Sequence, residues 1–347
     1  MKGFGSDNHS GVHPELLNSI IAHNEGHAPS YGTDESSVRA IAQFKKHFGP
    51  QTEVFLVFNG TASNTIALRF LTKRHESVIC SENSHLHMDE CGAPELFVGK
   101  LITVKAHEGK MRLADLKVSL QRRGDQHYSQ SRVVSITQPT ELGTCYSLQE
   151  IKEICDWAHA EGMKVHIDGA RLTNALVTLN CTFKEMTTDL GVDIVSFGGT
   201  KNGLMMGEAV LVLAPDLVAE AKVQLKYIRK QMAQLPSKTR FIACQFERYL
   251  ESDLFLDIAK HSCAMAQKLY ESASQVRGVE VTAARQSNAV FAKIPKAWVK
   301  PLKEKYFFYV WDEHTFECRW MTSWDTTAAE IDGFVDQLRH LSKTTSI

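Results

Sequence analysis

A lysine enclosed by glycines at the end of an apolar run constrains this chain more than any other stretch. Residues 193–197 read as a strand that stops at Gly198 and Gly199. Lys201 follows at once, and Gly203 lies just beyond it. Glycines let the backbone turn sharply and let a flat object approach closely. Taken alone, the window also describes an ordinary strand-end turn with a solvent-facing lysine. A second stretch shifts the balance. Residues 164–168 read as a short buried strand that ends in Asp168, and Gly169, Ala170 and Arg171 follow directly. An aspartate there is costly to bury unless a cation or a donor meets it. In a parallel α/β sheet, Asp168 and Lys201 both leave the carboxyl ends of their strands, where ligands bind.

The rest of the chain supplies such a sheet. Unbroken apolar runs predict strands at 54–58, 77–80, 101–104, 133–136 and 208–213, with helical patterns between them. Residues 148–160 place Ile151, Ile154 and Trp157 on one helix face. From about residue 253 the rhythm changes. A long helix, 254–276, precedes short strands at 279–281, 289–294, 306–310 and 316–320, and a last helix spans about 326–341. We therefore expect a large domain, 1–252, and a small one, 253–347. Between strand 54–58 and its helix, Asn59, Gly60 and Thr61 offer backbone N–H groups and a hydroxyl at the positive helix end, which suits a phosphate. An amine for an aldehyde, an acid for a ring nitrogen and a phosphate anchor together suit pyridoxal 5'-phosphate.

Composition removes several partner classes. The 347 residues carry 39 basic and 40 acidic side chains, a net charge of −1, which gives no reason to expect nucleic acid or an anionic membrane. Residues 1–10 are polar and glycine-rich, without the apolar core of an export signal, and no apolar run is long enough to span a bilayer. The eight cysteines form no C-x-x-C pair and read as buried thiols, so the expected compartment is cytoplasmic and no metal site is expected.

Ser6-Asp7-Asn8, Tyr31-Gly32, Phe58-Asn59-Gly60-Thr61, His85, Asp168-Gly169-Ala170-Arg171, Gly199-Thr200-Lys201-Asn202-Gly203 and Arg319 stand in an order that resembles the threonine aldolases. The resemblance is to the low-specificity branch of that family, within the β-eliminating lyases, and it covers nearly the whole chain. It implies the aspartate-aminotransferase-like fold (fold type I): a mostly parallel central sheet flanked by helices, with a smaller α+β C-terminal domain. It implies retro-aldol cleavage of L-threonine, L-allo-threonine and related L-β-hydroxy-α-amino acids to glycine and an aldehyde. β-Elimination, transamination or racemisation on the same scaffold is the alternative, and a non-catalytic binding protein of this fold is a further rival.

By resemblance, Lys201 holds the cofactor, Asp168 faces its ring nitrogen and His85 stacks on the ring and handles a proton. Gly60 and Thr61 hold the phosphate, and Arg171 lies near the ring oxygen and the substrate carboxylate. Ser6, Tyr31, Arg171 and Arg319 bind the substrate. The residues themselves leave other roles open: Arg171 can simply pair with Asp168, Arg319 can be a cation–π residue, and Asp89 or Glu90 can orient His85. Many relatives carry a second active-site histidine where this chain has Thr140 and Glu141. The family also completes its site across a homodimer or homotetramer interface. A basic residue from the neighbour reaches the phosphate there; Lys238 is the match, with Arg240 as the alternative.

Overall fold

The computed structural model describes residues 3–344; Met1 and Lys2 of the polar start, and residues 345–347, lie outside the described residues. Strands β1 (Glu53–Val57), β2 (Glu76–Ser81), β3 (Lys100–Val104), β4 (Gln130–Thr137), β5 (Lys164–Gly169), β6 (Ile194–Gly198) and β7 (Glu208–Val212) form one sheet. Their order is β1-β7-β6-β5-β4-β2-β3. The pairs β2–β3, β2–β4, β4–β5 and β5–β6 are parallel, whereas β7 runs against both its neighbours. Successive side chains of a strand face opposite ways. Ile194 accordingly packs on one face with Val133 and Val210, while Val195 and Phe197 pack on the other with Ile167 and Phe246. Helices cover both faces, which is why these strands are unbroken apolar runs in the sequence.

The helices begin where the sequence places capping residues. Helix Leu148–Ala160 starts at Ser147 with a capping box closed by Glu150, and it buries Ile151, Ile154, Cys155 and Ala158. That spacing is one helical face, and such a cap contributes about 1 kcal/mol. Asn59 caps helix Gly60–Leu71 by accepting from the Ala62 N–H.

A second, antiparallel sheet has the order β8-β9-β11-β10, where β8 is Glu280–Val281, β9 Ala289–Lys293, β10 Tyr309–Asp312 and β11 Glu317–Met321. Its core is aromatic: Trp298, Phe308, Trp320 and Phe334. Truncating one such side chain to alanine costs about 3–5 kcal/mol. Phe4 joins this core from the other end of the chain. Gly3 bridges Phe307, the Phe4 N–H donates to Phe307 O at 2.7 Å, and the Met321 N–H donates to Phe4 O at 2.8 Å. These bonds carry Ser6 and Asp7 to the carboxyl ends of β5 and β6. Among the described residues, no helix is long and apolar enough to cross a membrane, and no group of three metal-ligating side chains is found.

Candidate active site

The loop after β6 fixes Lys201. A Cβ on Gly198 would lie 2.2 Å from Ala170 O, so glycine alone lets β6 end against the turn that follows β5. Gly203 has φ +93°, a left-handed conformation that side chains disfavour. Asn202 fastens the loop from the inside: its Nδ2 donates to Gly198 O at 2.9 Å and to Ala170 O at 3.3 Å, and its Oδ1 accepts from Thr173 Oγ1 at 3.1 Å. Below, the Gly199 N–H donates to Glu208 Oε2 at 2.7 Å, and burial pushes the Glu208 carboxyl up to about 7. The Arg171 charge, and then burial, hold the Lys201 amine below the usual lysine range. That shift favours the neutral amine that attack on an aldehyde requires.

Asp168 ends β5, only 4% exposed. Its Oδ2 accepts from Asn64 Nδ2 at 2.8 Å and its Oδ1 from the Ala170 N–H at 3.1 Å. Under it on the same strand face, buried His166 lies between the Ser135 and Ser196 hydroxyls, at 2.8 and 2.9 Å. Burial pushes this imidazole down to about 4, so it is neutral at physiological pH and leaves the charge to Asp168. Asn64, Asn202 and His166 were not legible as site residues from the sequence. A polar side chain in the middle of a buried run was the available signal: Asn64 is followed by Ile66, Ala67 and Leu68, and His166 lies between Val165 and Ile167.

Ser6, His85, Glu141, Arg171, Lys201 and Arg319 line one cavity of ≈ 450 Å³. Arg171 does not pair with Asp168. Its guanidinium forks onto Asp7, with Nε–Oδ2 at 2.6 Å and Nη2–Oδ1 at 2.9 Å. Asp7 is 1% exposed and also accepts from Asn288 Nδ2 at 3.1 Å. Sequence reasoning passed over Asp7, although Ser6 beside it was singled out. Arg319, on β11, stacks on Trp311 and Tyr309 with its guanidinium carbon 4.7 and 5.8 Å from the ring centroids. Its buried Nε has no partner, and burial pushes the guanidinium down to about 10. A desolvated cation with an unused donor is prepared for an anion, and the planar fork matches a carboxylate.

Helix Gly60–Leu71 presents its first turn at the end of β1. The Gly60 and Thr61 N–H groups have no intrahelical carbonyl to meet, and a Cβ on Gly60 would meet nothing within 4 Å. The sequence thus leaves open backbone at the position expected to take a phosphate. With the Lys201 amine, the Asp168 carboxylate and this helix end, the residues present fit pyridoxal phosphate. Two expected site residues lie elsewhere. Tyr31 is half exposed and its N–H donates to Ser237 O at 3.0 Å; Lys238, next along, is exposed and lines a separate apolar surface cavity with Ile21, Phe58, Met206 and Phe241.

The chain is similar to known proteins over nearly its full length. The β-eliminating lyase family profile matches residues 3–295. The chain is 39% identical over 342 residues to the low specificity L-threonine aldolase of a Pseudomonas species, covering 97% of this chain and 96% of the relative. It is 38% identical over the same shares to the low specificity L-threonine aldolase of Pseudomonas aeruginosa. The solved structure of Leishmania major threonine aldolase superposes with a TM-score of 0.92 at 28% identity, over 99% of this chain and 100% of that one.

Proposed function

The chain belongs to the β-eliminating lyase family, and from that premise we propose that it is a pyridoxal-phosphate-dependent low-specificity L-threonine aldolase. It cleaves L-threonine, L-allo-threonine and related L-β-hydroxy-α-amino acids to glycine and an aldehyde. The observation that carries the reading is the meeting of Lys201, Arg171 and Arg319, whose Nε has no partner, in one cavity, with Asp168 at the neighbouring strand end. Near-full-length identity to two enzymes of that name supports it.

When bound, pyridoxal phosphate supplies a sink for the electron pair released as the Cα–Cβ bond breaks. Lys201 would hold its aldehyde carbon, Asp168 its ring nitrogen, and Gly60 and Thr61 its phosphate. Arg319 takes the substrate carboxylate, with Ser6 beside it. Arg171, held by Asp7, presents its remaining N–H edge to the same cavity rather than a free fork. Clamping the carboxylate would fix the orientation of the Cα–Cβ bond in the cavity, which is what positioning contributes to the rate. His85 handles the β-hydroxyl proton. The reading extends to a cytoplasmic homodimer or homotetramer, in which Tyr31 and Lys238 reach the site of a neighbouring copy. Their shared position on an exposed face, away from their own cavity, supports that arrangement.

The test is a product assay on the purified holoenzyme with all four threonine stereoisomers and with β-chloroalanine. Equimolar glycine and acetaldehyde from both L isomers are expected. Pyruvate from β-chloroalanine, with no acetaldehyde from any threonine, would overturn the reading in favour of β-elimination.

A further inference from the structure

A continuous row of hydrogen bonds joins His85 to Asp168. His85 Nδ1 lies 2.9 Å from Glu90 Oε1. The same oxygen accepts from Asn64 Nδ2 at 2.9 Å, and Asn64 Nδ2 donates to Asp168 Oδ2 at 2.8 Å. Glu90, Asn64 and Asp168 are 3%, 2% and 4% exposed. An amide nitrogen has two hydrogens, and here each serves one carboxylate. The opposite amide orientation would set an oxygen against two acceptors.

We infer that Glu90 and Asn64 tie the proton on His85 to the charge on Asp168, so that neutralising Asp168 releases the imidazole to act as a base. Glu90 and Asn64 are positioning residues: they act through His85 and Asp168. With Asp168 anionic, the Asn64 amide is shared between two carboxyl groups, and the His85 and Asn64 hydrogen bonds oppose the burial that raises the Glu90 carboxyl. Once a cationic ring nitrogen compensates Asp168, the amide turns more fully to Glu90. Glu90 then becomes a weaker acceptor, and His85 gives up its proton more readily. Such a device confines the base to sites already loaded with the cofactor.

The surroundings agree in sign. The Glu90 hydrogen bond first, and then the Asp168 charge, raise His85 above the usual imidazole range, against burial and Lys201. Glu141, from the loop after β4, meets His85 only at its backbone, where Oε1 accepts the His85 N–H at 2.7 Å. Asp89 lines the cavity at its rim. Asp168 is itself faced by the Arg171 cation, by the Lys201 amine, by neutral His166 below and by the Ala170 N–H.

The inference rests on reading His85 and Asp168 as the proton-handling and ring-facing groups, and its test needs no turnover. The full-length protein, ¹³Cε1-labelled at histidine, is titrated by NMR with the cofactor removed and restored. His85→Gln assigns the resonance. Restoring the cofactor, or introducing Asp168→Asn without it, should lower the His85 proton affinity about tenfold. The Asp168→Asn shift should shrink to less than half in an Asn64→Leu background and in a Glu90→Gln background, which cut the row at different links. Circular dichroism checks each fold, and Asn64→Ala serves if Asn64→Leu does not fold. An Asp168→Asn shift of equal size in all backgrounds would show direct Coulomb action and overturn the inference, as would no shift in the parent. A coupled protein that fails to cleave threonine would discredit the reaction alone.

Discussion

Glu141 shows how a single carboxyl can set the pH response of this site. Its Oε1 accepts from the His85 N–H at 2.7 Å and from Thr137 Oγ1 at 2.8 Å, while its Oε2 is buried with no partner. Burial pushes the carboxyl from 4.5 to about 7. The folded chain therefore binds a proton that the unfolded chain releases anywhere between those values. By linkage this contribution to stability is full below the unfolded pKa and is lost as pH rises through the folded one. Glutamine has no proton to lose. Its oxygen can keep both hydrogen bonds, and its nitrogen displaces no donor. Relative to Glu141→Gln, the parent should thus lose on the order of 1–3 kcal/mol between pH 5 and pH 8. Urea melts of both proteins at the two pH values measure this. A gap that stays constant across that range would mean that Glu141 does not titrate there.

At the scale of elements, the ends of β1 and β6 call for opposite tolerance to a methyl group. On Gly198 it would collide with the backbone of Ala170 at 2.2 Å, whereas on Gly60 it meets nothing. Gly198→Ala should cost more than about 2 kcal/mol, in the range of overpacked buried positions. Gly60→Ala should melt with the parent yet retain pyridoxal phosphate less tightly, because its methyl would occupy the phosphate approach. Thermal melts and cofactor content after dialysis decide both points; equal melting of Gly198→Ala and parent would contradict the close approach of the two turns. The strands of the large sheet were legible within a few residues because each is an apolar run cut by turn residues. The expected strand 306–310 instead lies at Tyr309–Asp312. Helix Lys296–Lys303, unforeseen because Pro301 stands inside it, continues into a turn in which the Tyr306 N–H bonds Leu302 O. Lys201 and Asp168 were legible because a charge that ends a buried strand stands out. Asn64 was not, because its partner Asp168 lies 104 residues away and an amide in a helix reads as surface. Arg171 lines the cavity with Lys201, but its fork onto Asp7 spans 164 residues, beyond the reach of local pattern.

Across the whole molecule, Lys238 and Tyr31 share an exposed face with Ile21, Phe58 and Met206. If Lys238 serves a neighbouring site, Lys238→Ala should weaken cofactor retention. Mixing it with Lys201→Ala, itself expected to be inactive, should then restore turnover, since random dimer exchange leaves roughly one site in four intact. Native mass spectrometry confirms the exchange, and no recovery despite exchange would sink the shared site. The segment from Gly3 to Asp7 carries a different consequence. It is bonded to Phe307, Met321 and Asn288, and the Asn288–Asp7 contact spans 281 residues. Residues made among the first thus wait for partners made almost last. During synthesis Arg171 precedes β6 and β7, and once these complete the large sheet Asp7 still lacks the strands that seat it. Long loops of this kind close slowly. The large sheet, residues 53–212, is thus available to fold while the chain is still growing, whereas the seat of Asp7 has to wait for strands made about 75 to 110 residues later.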